Sequence, residues 1–274
     1  MKDDNYLNRI EDPRMEYYRD MYKHSPRWDG SGVLFKKRVI VYCEQGLGDI
    51  IYAARYFEAM RATGCRLYLH AQAELENLFL SQGYIDQFIH KGADEIPEHD
   101  LHTLSLSLPF LLEGSQCHFP YIHVRECNED ITNEYKDFFK IGITWEGWTR
   151  QLHLKHFKQL TKNPKVKLFM VQKEIRNESL LDECEDLELL GTEINDMLDT
   201  AKLINSMDLM ISIDTSTLHL AGALNKKTFG LIEQNGDPRW EAAPWYPHVN
   251  LYRINKDTVK KAIGNIADYV KTKC

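Results

Sequence analysis

The chain has 274 residues, of which 43% are hydrophobic and 27% charged, and its formal net charge is -7. That length suits two domains of roughly 100–150 residues rather than one small core. No apolar run approaches the roughly 20 residues of a membrane-spanning helix, and the acidic balance argues against a general nucleic-acid binder, which carries a basic face or stripe.

Residues 1–37 read as a polar, tyrosine-rich lead-in. Its start, MKDDNYLNRIEDPR, lacks the apolar core of a signal peptide, so the expected location is the cytoplasm. MEYYRDMYKH is a predicted helix, and PRWDGSG a turn broken by Pro and Gly. From residue 38 strands and helices alternate. RVIVYC (38–43) is a β-branched run suited to a buried parallel strand. The turn EQGLGD follows, then IIYAARYFEAMRATG, whose Ile50, Ala53, Ala54, Phe57 and Met60 share a helical face before the stop at Gly64. CRLYLHA is the next strand and AELENLFLSQG the next helix, with shorter strands in IDQFIHKG and HDLHTLSLS.

Residues 118–137 read as a linker. A second series then runs FFKIGITW (strand), KHFKQLTKN (helix), VKLFMVQ and the segment after DLELLG (strands), DMLDTAKLINSM (helix), DLMISID (strand), STLHLAGALN (helix) and KTFGLIE (strand). DTVKKAIGNIADYVKTK is an amphipathic final helix. The predicted division is a lead-in (1–37), a Rossmann-like domain (38–130), a second Rossmann-like domain (138–256), and a C-terminal helix (257–274) packing back on the N-terminal domain. In such α/β folds ligands bind beyond the carboxyl ends of the strands, so chemistry is expected just after strands.

Four segments stand there. Glu44-Gln45-Gly46-Leu47-Gly48-Asp49 opens a helix, and a carboxylate at Asp49 can take a proton from a hydroxyl; a tight turn with a helix cap is the plainer alternative. Asp214-Thr215-Ser216-Thr217-Leu218-His219 places hydroxyls beside helix N–H groups, which suits a diphosphate; an N-capping cluster with a core histidine is the alternative. Thr144-Trp145-Glu146-Gly147-Trp148-Thr149-Arg150 offers Arg150 to phosphate charge, with Lys155 in reserve. Pro238-Arg239-Trp240 and Pro244-Trp245-Tyr246-Pro247 are candidates for lining a sugar or base pocket, or for packing.

Cys117, His118, His123 and Cys127 lack the tight paired spacing of zinc sites, and His99 and His102 flank Asp100 without a metal pattern. No metal is expected. The six cysteines (Cys43, Cys65, Cys117, Cys127, Cys184 and Cys274) are scattered, and free thiols are expected.

Taken in order, PRWDGS, EQGLGD with ARY, GITWEG, DTAKLINSMDLMISIDTSTLHLAGALN, DPRW and PWYP resemble the glycosyltransferase-9-like domain found behind tetratricopeptide repeats in bacterial proteins, which is related to the lipopolysaccharide heptosyltransferases. The resemblance covers about residues 26–253. It implies an α/β GT-B fold, two Rossmann-like domains facing each other across a cleft, and inverting sugar transfer from a nucleotide sugar with neither metal nor cofactor. It implies Asp49 as general base, and Arg150, Asp214, Thr215, Ser216 and His219 as donor-binding residues. Gln45, Gly46, Gly48, Trp145 and Trp240 are expected around the acceptor. The partners implied are a nucleotide sugar and a glycan or other hydroxyl acceptor. The sequence departs from the family in lacking the repeats, in a short loop between Trp145 and Arg150, and in continuing the glycine turn as IIYAARY, so heptose is not implied. Two alternatives stand beside this reading: an enzyme of phage type glycosylating modified DNA bases, which a salt-sensitive shift of duplex DNA would favour, and a non-catalytic nucleotide-sugar-binding module.

Overall fold

The computed structural model describes residues 23–115, 117–147, 150–190, 194–237, 239–242 and 245–274. The predicted helix in MEYYRDMYKH lies mostly outside them, as do Trp148, Thr149, Pro238 and Pro244. The chain divides into two compact units, Met1–Tyr121 and Ile122–Cys274. Residues 122–130, read as the end of the first domain, therefore belong with the second.

The first unit is built on a parallel four-stranded sheet, order β3-β2-β1-β4. Strand β1 (Arg38–Tyr42) is central, buried at every residue but Arg38. It pairs with β2 (Arg66–Ala71) and β4 (Leu101–Leu104), so that Tyr42 stands opposite His70 and Leu104. Strand β3 (Gln87–His90) lies outside β2. The single helix predicted after the glycine turn is broken into α1 (Leu47–Ala53), a 3-10 turn (Ala54–Tyr56) and α2 (Phe57–Ala62). Side chains take the carbonyls at the break: the Arg55 guanidinium donates to Tyr52 O at 3.0 Å and the Tyr121 hydroxyl to Ile51 O at 3.0 Å. Such side-chain bonds compete with the helical ladder. Helices α3 (Glu76–Leu80) and α4 (Leu108–Leu111) follow β2 and β4. The predicted lead-in is partly sheet: Trp28 N donates to His102 O at 2.8 Å and His102 N to Pro26 O at 3.1 Å, lengthening the β4 edge.

One face of this sheet holds an unusual polar core. His70, fully buried with no hydrogen-bond partner on either ring nitrogen among the described residues, meets the Tyr42 ring edge-on at 5.3 Å. Burial, reinforced by Lys91, pushes its pKa down to about 4. Burial likewise pushes His102 down to about 4.

The second unit carries a parallel six-stranded sheet, order β10-β9-β8-β5-β6-β7. Its strands are β5 (Phe139–Thr144), β6 (Val166–Met170), β7 (Leu187–Glu188), β8 (Leu209–Ile213), β9 (Thr228–Glu233) and β10 (Val249–Ile254). Counted from β5, this is the doubly wound order 3-2-1-4-5-6, with its switch point between β5 and β8. Gly142 in β5 permits close packing, since a Cβ there would lie 2.8 Å from Val171 and 2.9 Å from Met207. Helix α5 (Glu129–Glu134), capped by Asn128, falls in what reads as linker. Helix α6 (Met197–Ser206) is capped by Asp196, whose carboxylate accepts from Leu198 N and Asp199 N. Helix α7 (Ser216–Ala223) follows β8 directly, and the one-turn α8 (Arg239–Ala242) follows β9.

The final helix α9 (Val259–Lys271) was expected to pack on the N-terminal domain. Its apolar face (Val259, Ala262, Ile263, Ile266, Ala267, Val270) is instead buried in the core of the second unit, with Leu154, Phe157, Phe229 and Leu231. At about 25 cal/mol per Å2 of apolar surface removed from water, that face is committed within its own unit. Among the described residues no helix is long and apolar enough to cross a membrane.

Candidate functional site

The switch point of the second sheet gathers most of the predicted donor residues. Beyond β5 the chain makes a tight hairpin: Gly147 N donates to Arg150 O and Leu152 N to Trp145 O, both at 2.8 Å. The Glu146 carboxylate, buried, accepts from Gln151 Nε2 at 2.8 Å and Arg176 N at 2.9 Å. The amide oxygen of Gln172 accepts from the N–H groups of Trp145 and Glu146. Gly147 abuts Thr215, whose Cγ2 would lie 2.9 Å from a Cβ at 147. The hairpin is thereby seated on the start of α7.

Arg150 reaches across to that start. Its Nη1 donates to the Asp214 carboxylate at 2.6 Å and to Asp214 O at 3.3 Å, and its Nε lies 3.5 Å from Glu233 at the end of β9. The Asp214 side chain is 11% exposed, so the pair is largely shielded from water. Thr215 is the N-cap residue in extended conformation (φ -144°, ψ 174°), yet its hydroxyl makes no capping bond and instead donates to Ile213 O at 3.4 Å. The N–H groups that open a helix have no intrahelical acceptors, and here they emerge among three hydroxyl side chains, Thr215, Ser216 and Thr217.

One turn further, the His219 ring is buried, bonded through Nδ1 to the Tyr246 hydroxyl at 2.8 Å and stacked on Trp240 at 4.8 Å between centroids. Trp245 adds a second stacked ring at 6.0 Å. Asp237, from the loop after β9, and Arg239, the first residue of α8, are joined at 2.7 Å and 2.5 Å. Burial pulls the Asp237 pKa up, but the hydrogen bonds and charge of Arg239 outweigh it and hold the carboxyl below its ordinary value. Arg253 braces the same loop by donating to the carbonyls of Glu233 and Asp237.

In the first unit the corresponding place, between β1 and β4, carries the glycine turn. Gly46 is the N-cap of α1 at φ -76°, ψ 169°, and Asp49 lies in the first turn with its N–H bonded to Gly46 O at 3.1 Å. Neither Gly46 nor Gly48 has a positive φ. Gly46 approaches Asp49 only at ordinary contact distance, 3.8 Å from a built Cβ to Oδ2. Gln45 is exposed, and its carbonyl accepts from Gln72 Nε2 at 2.8 Å. Glu44 is buried, and its carboxylate accepts from Leu106 N at 3.1 Å, tying the turn after β1 to the turn after β4.

The structure thus brings Arg150, Asp214, Thr215, Ser216, His219 and Trp240 together in the second unit, and Gln45, Gly46, Gly48 and Asp49 in the first. Trp145 needs correction. It is fully buried in the core of the second unit, because the first residue past β5 continues the inward alternation of Ile141 and Ile143. It lines no acceptor surface. Glu233 and Asp237 lie beside these residues but fall outside the predicted segments, while Glu44, Arg239 and Tyr246 fall inside them without an assigned role. For Asp237 the signal was its place just after a strand. The pairing of Tyr246 with His219 has no local signal, since the two are 27 residues apart. Among the described residues no group of three His, Cys, Asp or Glu side chains is placed to hold a metal ion. The six cysteines are free, with Cys43, Cys65 and Cys184 buried.

Residues 154–265 match the model of glycosyltransferase family 9 (heptosyltransferase). A search of the curated proteins finds no match. Among solved structures the chain is similar to E. coli ADP-heptose lps heptosyltransferase II, with 12% identity, 86% of this chain and 98% of that one covered, and a TM-score of 0.67. It is similar to a glycosyl transferase family 9 protein from Veillonella parvula DSM 2008 at 13% identity, covering 88% and 91% of the two chains with a TM-score of 0.61. For E. coli heptosyltransferase WaaC with ADP the values are 11%, 86%, 100% and 0.58. These likenesses show an α/β fold of the GT-B kind, with two parallel sheets. With the family match, they support a glycosyltransferase.

Proposed function

We propose that the protein transfers a sugar from a nucleotide-sugar donor to a hydroxyl acceptor of the cell-surface glycan type, with inversion and without a metal ion. The observation that carries this reading is the convergence of Arg150 on Asp214 and the hydroxyl-rich start of α7, the latter two inside the matched region 154–265, at the switch point of the second sheet. A helix N-terminus and a guanidinium are both suited to phosphate oxygens.

In this reading the second unit holds the donor diphosphate through Arg150, Thr215, Ser216 and His219, with Asp214 orienting Arg150. Asp49 removes the proton from the acceptor hydroxyl. The acceptor oxygen forms a bond to the anomeric carbon while the bond from that carbon to the diphosphate oxygen breaks, which inverts the configuration. The negative charge growing on the leaving diphosphate is met by the α7 N–H groups and Arg150, in place of a metal. Gln45, Gly46 and Gly48 shape the turn that presents Asp49. One solved relative, E. coli heptosyltransferase WaaC, has a structure with ADP and another with ADP-2-deoxy-2-fluoro heptose, which makes adenosine diphosphate the first nucleotide to try.

The test is a thermal-shift screen against nucleoside diphosphates, followed by transfer assays with the matching sugar nucleotides in EDTA. A ligand that binds only the folded state raises its melting temperature. A shift with one diphosphate and EDTA-resistant turnover support the reading. No shift with any diphosphate, or turnover that stops in EDTA and returns with a divalent cation, overturns the binding or the metal-free part respectively.

A further inference from the structure

The aromatic cluster behind α7 has a job that the donor-binding groups do not account for. The Tyr246 ring lies against the helix at Gly222, where a Cβ would come within 2.6 Å of its Cδ1. Gly222 and His219 are three residues apart, hence neighbours on one helical face. A ring lying over Gly222 therefore directs its hydroxyl at the residue one turn back, and the Tyr246 hydroxyl stands 2.8 Å from His219 Nδ1. Both side chains are buried, His219 at 8% and Tyr246 at 3% exposure. Trp240, stacked over the imidazole at 30° between planes, fixes the ring's tilt. The hydroxyl is not needed to fill space, because a phenylalanine ring would fill the same slot.

We propose that Tyr246 is a positioning residue for His219, donating its hydroxyl proton to Nδ1 and so holding the imidazole in the tautomer that carries its proton on Nε2. A neutral imidazole has one donor and one acceptor nitrogen, and the hydrogen bond made at one sets the role of the other. A phenol is the natural donor to a bare ring nitrogen. With Nδ1 accepting, Nε2–H is a fixed donor, the form suited to an anionic oxygen. That last step rests on the donor-site reading above; the tautomer does not.

The experiment uses the whole protein labelled with 15N-histidine near neutral pH, with the His219 signals identified by their loss in His219→Asn. The wild type is expected to show a bare Nδ1 and a protonated Nε2. In Tyr246→Phe both shifts should move toward the averaged values of an imidazole exchanging between tautomers, with the melting temperature changed by only a few degrees. The dissociation constant for ADP should rise about 2–10-fold, the range for one neutral hydrogen bond. A protonated Nδ1 in the wild type overturns the proposal, and so does an unchanged His219 pattern in Tyr246→Phe. Should that variant fail to fold, the wild-type spectrum alone decides. If ADP does not bind the wild type but the tautomer is as stated, the donor-site reading falls and the positioning role stands. If ADP binds and the tautomer ignores Tyr246, the reverse holds.

Discussion

The two units share the strand order 3-2-1-4 around their switch points but equip those points with different groups. Between β1 and β4 stand carboxylates, Glu44 inside and Asp49 at the turn. Between β5 and β8 stand the Arg150–Asp214 pair, hydroxyls and a helix start, with the Asp237–Arg239 pair at the start of α8. The topology alone brings the loops together, and the loop residues then decide whether the place suits a proton acceptor or an anion. Function is carried by residues grafted on a fold that has no chemistry of its own.

The difference can be broken from either side. Asp49→Asn should have the largest effect. Loss of a general base costs about 10²–10⁴-fold in turnover, while ADP binding to the second unit should stay within about threefold by titration. Full turnover in that variant would remove Asp49 from the reaction. Next, Arg150→Ala should weaken ADP binding by about 10–100-fold, in line with about 1.5–3 kcal/mol for hydrogen bonds to charged groups. It also strips the shielded Asp214 of its partner, so the melting temperature should be measured alongside; Arg150→Lys separates lost charge from lost fork geometry.

Smaller effects concern the first unit's frame. Glu44→Gln keeps the shape and removes the charge from a buried acceptor, and should lower stability by about 1–2 kcal/mol in denaturant unfolding. An unchanged midpoint would mean the Glu44–Leu106 link holds nothing together. The last of these effects is the pH response. His70 and His102 are pushed down to about 4 in the fold against 6.5 unfolded. Between those values the unfolded chain binds more protons, so stability is full above about pH 6.5 and falls as pH drops toward 4. His70→Leu should flatten part of that slope in melting curves taken from pH 7 to pH 5, whereas an unaltered slope would exclude His70 as its source.

Much of this was legible in the sequence because buried parallel strands advertise themselves. RVIVY, KIGIT and LMISI are dominated by apolar and β-branched residues, and the turns after them could be located from the strands alone. Strand β10 was not legible. As an edge strand it leaves Asn250 and Leu251 exposed, and VNLYRI lacks the continuous apolar run of a central strand. The helix spanning 50–64 reads as one piece because periodicity ignores Arg55 and Tyr121, whose side chains capture its carbonyls. Trp145 was misjudged for a related reason. Its place just past a strand suggested a binding surface, but strand alternation carries one residue further and turns the indole inward. Glu44 is indistinguishable in sequence from any acidic turn residue, since only the fold brings Leu106 N to it.

Gly222 and Tyr246 occupy one volume between them. A larger residue at 222 requires a smaller one at 246, and a smaller residue at 246 releases the restriction to glycine. The two positions are therefore expected to vary as a unit, and a library randomised at both should return compensating pairs that single-site scans would discard.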